Sequence, residues 1–148
     1  ATVWRERLAE QVFPTYVGKE VFEDVVRQAY LRHRMARGLP AVEEWSRWEG
    51  VDRDRRPVEI DVVARLLDGR ILTGSAKLRQ RAADATVLRE HLGALQRLAA
   101  SGRGWAREAL RPGSPLLFVS GAGFKESFSE VAGELDHPLI TWTVDDLF

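Results

Sequence analysis

Two alternating runs on either side of Asp68-Gly69 constrain this chain more than any other feature. Residues 58–67 read VEIDVVARLL and residues 71–78 read ILTGSAKL. Both alternate apolar and polar residues, as strands do, and Asp-Gly is a turn signal. In the first run the even positions are Val58, Ile60, Val62, Ala64 and Leu66. In the second they are Leu72, Gly74, Ala76 and Leu78. Residues directly opposite in an antiparallel pair share a face, so both even sets reach one core only if paired numbers sum to an even value. A two-residue Asp68-Gly69 turn would pair Leu67 with Arg70, an odd sum. The spacing therefore predicts an odd-length loop, such as 68–70, or a bulge. A loop over 68–70 sets Asp61 opposite Lys77 and Val63 opposite Ser75. Glu59, Asp61, Ser75 and Lys77 then share one polar face.

The rest of the chain supplies helices and further strands. Residues 4–12 read as a short amphipathic helix, and Phe13, Pro14 and Thr15 break the pattern. From Gly18 to about Arg37, residues Val21, Phe22, Val25, Val26, Ala29, His33 and Ala36 fall on one helical face. Gly38 and Pro40 end that helix. Residues 41–49 are a weaker strand with Trp45 and Trp48, and 50–57 form a charged loop or hairpin tip. Asp84 is a plausible N-cap for a helix over 85–100 with Leu88, Leu92, Leu95 and Ala99 as its stripe. A short helix follows near 104–110. PLLFVS at 115–120 is a continuous apolar run, as a buried central strand requires. A helix over 125–135 and a strand over 138–144 complete the order. The expected class is α/β, a mixed central sheet flanked by helices, with a helical linker at 1–17 and one domain over 18–148.

Composition narrows the function. The chain has 148 residues, 22 basic and 22 acidic side chains, and no cysteine. That excludes disulfides and cysteine-based zinc sites. Zero net charge argues against a broadly electrostatic nucleic-acid binder but leaves room for a local basic groove. No apolar run reaches the length of about 18 residues needed to span a membrane, and no signal peptide is visible. Only Lys19, Lys77 and Lys125 are lysines among the 22 basic residues; the arginine bias reads as GC-rich coding or, alternatively, as selection for phosphate contacts. Met35 is the single methionine, so the chain reads as part of a longer polypeptide.

An acid pair, a hydroxyl and a lysine on one sheet face allow two readings. One is a solvated face with a cross-strand ion pair. The other is a metal-dependent phosphodiester site. Mg²⁺ takes hard oxygen ligands, commonly one or two carboxylates completed by substrate phosphate. A neighbouring lysine can stabilise the charge of phosphoryl transfer.

These residues carry a family resemblance. GKEVFEDVVRQAY at 18–30 and EIDVVARLLDGRILTGSAK at 59–77 resemble the PD-(D/E)XK restriction-endonuclease-like superfamily. In detail they look like the C-terminal domain of uncharacterised function found in archaeal-type ATPases, which also occur in bacteria. The resemblance spans about 18–148. It implies that Glu23 is the first-helix acid, Asp61 the metal-binding strand acid and Lys77 the catalytic lysine. Ser75 stands where that pattern has its second acid, and a hydroxyl is a poor substitute for a carboxylate ligand. Glu59 could supply that carboxylate from about 6 to 7 Å along the strand. The resemblance therefore implies a nuclease-fold accessory domain with a degraded site, binding DNA or docking a protein. The alternative is an active Mg²⁺-dependent DNA endonuclease. An ATPase module of the same polypeptide is the implied partner, the implied location is the cytoplasm, and Mg²⁺ is the cofactor only of an active enzyme.

Other candidates are weaker. Arg79 and Arg81 follow Lys77, and Arg53, Arg55 and Arg56 precede the first hairpin strand; all five would rim a DNA-facing surface, or form solvated charge runs. His33, His91 and His137 lack metal-ligand spacing and read as surface or boundary residues. Gly121-Ala122-Gly123 lacks a phosphate-loop pattern. Trp45 and Trp48 are packing residues or, if exposed as a pair, a stacking platform. Association through a sheet edge or the first helix remains a third class.

Overall fold

Apolar residues at helical spacing carry the first element, α1 (Tyr16–Arg37), onto a sheet. Phe22, Val26, Ala29 and Tyr30 are buried. The computed structural model describes residues 16–148. The helix expected over 4–12 lies outside the described residues, as does nearly all of the linker expected at 1–17. Gly38 closes α1 in the left-handed region at φ 64°, with the Leu39 N–H donating to the Arg34 carbonyl at 2.9 Å. Glycine takes that conformation without the penalty a Cβ would bring.

Five strands follow, β1 (Val42–Val51), β2 (Pro57–Leu66), β3 (Ile71–Lys77), β4 (Leu116–Ser120) and β5 (Leu139–Trp142), and they lie side by side in that order. β1, β2 and β3 pair antiparallel, whereas β3–β4 and β4–β5 are parallel. The crossover from β3 to β4 contains α2 (Ala85–Ala100) and α3 (Gly104–Ala109), and that from β4 to β5 contains α4 (Glu126–Ala132). The architecture is the expected mixed α/β sheet flanked by helices. Asp84 caps α2 as expected, its carboxylate accepting the Thr86 N–H at 2.9 Å. All of β4 is buried, consistent with a parallel strand covered on both faces. Among the described residues, no helix is long and apolar enough to cross a membrane.

The chain end departs from expectation. The last strand stops at Trp142, and α5 (Val144–Leu147) follows. Asp146 accepts the Thr143 N–H at 2.9 Å, half of a capping box that starts the helix where the apolar pattern suggested more strand.

Two layers cover the sheet. α1 packs on Val62, Ala64, Leu66, Leu72, Leu117, Val119 and Trp142. The opposite face packs Val58, Ile60 and Ile71 against Ala94, Leu95 and Leu98 of α2 and Ala106 and Ala109 of α3. Leu116 and Phe118 meet Leu88 and Phe128 there. The even positions of β2 are therefore divided between two cores, not gathered in one. The reason is a β-bulge. Ser46 pairs with Val63, but Trp48 pairs with Ile60, so β2 spends one more residue than β1 and its alternation switches side.

The hairpin has the expected parity in a different register. Val62 pairs with Gly74, Val63 with Thr73, Ala64 with Leu72 and Arg65 with Ile71, all even sums. The Leu66 N–H donates to the Arg70 carbonyl at 2.9 Å, so the loop is 67–69 instead of 68–70. Gly69, at φ 91°, supplies the left-handed residue that ends a three-residue hairpin loop. Each β2 residue consequently faces a partner two positions earlier than expected. Val63 faces Thr73, not Ser75, and Asp61 is not directly opposite Lys77.

Candidate functional site

The ladder between β2 and β3 ends at Val62 and Gly74. Beyond it the bulged strand no longer supplies backbone partners, and the Asp61 side chain takes their place. Its Oδ2 accepts the Ala76 N–H at 2.8 Å and lies 3.6 Å from Lys77 Nζ. Asp61 is 14% exposed and Lys77 is 42% exposed. The pair thus sits at the mouth of a cleft of about 110 Å³ between the separating strands and α2, lined also by Glu59, Ser75, Arg79, Glu90 and His91.

Glu23 and Glu59 have a different centre. Arg47 on β1 binds Glu23 of α1 through Nε, Glu49 through Nη1 at 2.9 Å, and Glu59 through Nη2. Burial would lower the Arg47 pKa, but its bond to Glu49 and the charges of Glu23 and Glu59 hold it above the ordinary arginine value. The two acids that sequence offered as companions of Asp61 are therefore joined to one guanidinium. Arg47 was missed because its partners lie on three elements and no local spacing marks it.

His91 was also missed. It is buried, not a surface or boundary residue. It lies three residues after Leu88 and four before Leu95, on the stripe facing the sheet, and that spacing was the available signal. Its Nε2 shares a 2.9 Å hydrogen bond with Thr73 Oγ1 of β3, and its ring meets Phe118 edge-on with centroids 5.3 Å apart. Burial, then the positive charges of Lys77 and His137, push its pKa down to about 4. The floor below Lys77 is therefore neutral at physiological pH.

The basic residues divide into two sets at opposite ends of α2, whose 16 residues span about 24 Å. Arg79 and Arg81 are exposed beside Lys77 and the start of α2. Arg53 lies near Ser101, Gly102 and Arg103 beyond its other end. There the turn between β1 and β2 is built on buried Asp52, whose Oδ1 accepts the Asp54 N–H at 2.8 Å and the Arg56 N–H at 2.9 Å. Asp52 also pairs with Arg56 at 3.3 Å and with Arg97 of α2 at 3.6 Å. The amide of Arg56, with that of Asp54, holds the Asp52 carboxyl below its ordinary range. Arg56 thus serves the turn, while Arg53 and Arg55 project outward. Trp45 and Trp48 do not form a stacking pair. Trp45 packs on Tyr30 at 5.3 Å, and Trp48 packs on Trp105 at 5.9 Å beneath Arg103.

No group of three or more His, Cys, Asp or Glu side chains among the described residues is arranged to hold a metal ion. Asp61 is paired with Lys77, Ser75 is a neighbouring hydroxyl, Glu59 is bound by Arg47, and Glu90 of α2 also lines the cleft. With Asp61 and Glu59 each engaged by a basic side chain, this donor set is a poor fit to a two-carboxylate Mg²⁺ site.

The splayed strands, the parallel β4 and the flanking helices define a restriction-endonuclease-like fold. The solved MspJI restriction endonuclease in complex with a 27-mer oligonucleotide shares this fold at a TM-score of 0.59 and 14% sequence identity. The match covers 98% of this chain and 29% of that one, so the chain spans less than a third of the enzyme's length. A repair endonuclease from Pyrococcus abyssi is similar at a TM-score of 0.43 and 12% identity, over 78% of this chain and 44% of that one. No family model and no curated protein matches the sequence.

Proposed function

We propose that this chain is a nuclease-fold accessory domain that binds DNA without cutting it. The observation that carries the reading is the capture of Glu23 and Glu59 by Arg47, which leaves Asp61, among the described residues, as the acid paired with Lys77. Lys77, Arg79 and Arg81 would contact phosphates; Arg53 and Arg55, at the far end of α2, would extend the footprint. An ATPase module as partner rests on the motifs at 18–30 and 59–77.

A second reading, a Mg²⁺-dependent endonuclease, is favoured by one feature: Asp61 and Lys77 share a cleft in a fold also found in an endonuclease bound to DNA. Cleavage of plasmid and linear DNA with Mg²⁺ or Mn²⁺, by the parent and by Asp61→Ala, separates the two. The proposal expects no cleavage by the parent beyond that of the variant. Metal-dependent cutting lost in Asp61→Ala would establish the enzyme. For binding, Arg79→Ala with Arg81→Ala should weaken affinity and reduce the salt slope by about 2, roughly one for each phosphate contact removed. Unchanged affinity and slope would refute this surface.

A further inference from the structure

Beside the Asp61 cleft lies a second one of about 210 Å³, at the carboxyl ends of β3 and β4. Its floor is apolar, formed by Val87, Phe118 and Phe124, and its rim carries Lys77, Arg79 and Arg81. Resting on the DNA-binding reading, we propose that this cleft receives one unpaired base of a DNA strand, with its flanking phosphates on the basic rim.

The cleft is built by two loops locked together. The Ala83 N–H donates to the Gly123 carbonyl at 2.9 Å, and the Lys125 N–H donates to the Ala83 carbonyl at 2.8 Å. Gly123 makes the turn at φ 84°. Gly121 allows close approach, since a Cβ there would lie 3.2 Å from both Leu78 Cα and the Arg79 carbonyl oxygen. Phe124 is thereby fixed half-buried, supported by Phe128 with ring centroids 4.8 Å apart. An aromatic ring at the wall of a recess offers an unstacked base a stacking partner without selecting its identity.

Size and charge favour this occupant. The volume is below the range of about 300 to 1,000 Å³ typical of drug-sized ligands, which suits a single base. Neither Arg79 nor Arg81 has an ion-pair partner among the described residues, so both guanidinia are available to phosphates. Of the two acids on the same wall, Asp84 is engaged as the cap of α2. Glu90 and the buried Ser120 provide polar groups for a base edge. A fully paired duplex presents phosphate to the rim but nothing apolar to the floor, whereas an extrahelical base satisfies both.

The test compares two labelled duplexes of the same sequence, one fully paired and one with a single unpaired thymidine, by fluorescence anisotropy at fixed salt. The parent should bind the bulged duplex about tenfold more tightly, a factor in keeping with one stacked base. Phe124→Ala, which empties the wall, and Ala82→Trp, which fills the mouth, should each bring the ratio near one. Equal binding of both duplexes by the parent, or a ratio that survives both variants, overturns the base site while leaving the DNA-binding reading intact. Failure to bind either duplex overturns that reading and this one with it.

Discussion

Asp61 Oδ2 accepts the Ala76 N–H at 2.8 Å and stands 3.6 Å from Lys77 Nζ. One carboxylate oxygen thus replaces a ladder hydrogen bond and anchors an ammonium. The first role is structural, because an amide left without an acceptor costs about 1 to 3 kcal/mol when it is removed from water. The second is weak at a surface open to solvent.

Asp61→Ala should therefore lower stability by about 1 to 3 kcal/mol, and Asp61→Asn, which keeps an acceptor oxygen, by clearly less. Lys77→Met should change it by less than about 1 kcal/mol. Urea midpoints at neutral pH provide the comparison. Equal losses for Asn and Ala would show that the charge, and not the Ala76 bond, holds the strands.

Arg47→Met should destabilise the fold by about 1 to 3 kcal/mol, because it removes the guanidinium shared by Glu23, Glu49 and Glu59 and leaves their carboxylates close together. Repulsion among carboxylates is screened by salt. The deficit should consequently shrink in high salt, as followed by thermal unfolding. A deficit indifferent to salt would assign Arg47 a packing role instead.

His91 links stability to pH. Its pKa is lowered from 6.5 to about 4 by burial, with Lys77 and His137 adding to the effect. Between those values the unfolded chain binds a proton that the folded chain refuses, so unfolding becomes easier as pH falls from about 6.5 toward 4. Above that window the contribution is fully present. In His91→Gln the fall in denaturation free energy between pH 7 and pH 4.5 should be smaller than in the parent. Parallel pH profiles would refute the assignment.

Two glycines should respond in opposite directions to alanine. At Gly74 a Cβ would lie 2.6 Å from the Leu117 carbonyl oxygen and 3.3 Å from Val62 Cβ. Neither neighbour can easily retreat, so Gly74→Ala should cost about 1 to 3 kcal/mol. At Gly93, inside α2, a Cβ would meet nothing within 4 Å. Gly93→Ala should stabilise by up to about 1 kcal/mol, the propensity difference in a helix interior. Urea unfolding of both variants checks the contrast; a stable Gly74→Ala would mean that β3 and β4 are less closely packed.

Local rules in the sequence determined much of the frame. Alternation and parity required an odd hairpin loop, Asp84 marked the start of α2, and the PLLFVS run marked the central strand. Each follows from backbone geometry within a few residues. Tertiary structure alone decided the rest. The extra residue in β2 becomes visible only against β1, where Ser46 meets Val63 and Trp48 meets Ile60. That bulge divides Val58 and Ile60 from Val62 and Ala64, and it leaves Asp61 beyond the ladder. Arg47 reaches residues distant in sequence, because folding brings α1, β1 and β2 to one guanidinium. Residue types and periodicity prescribe which side chains want burial or a partner. Which partner each one finds depends on strand register, and a shift of two positions was enough to move Thr73 to the place expected for Ser75.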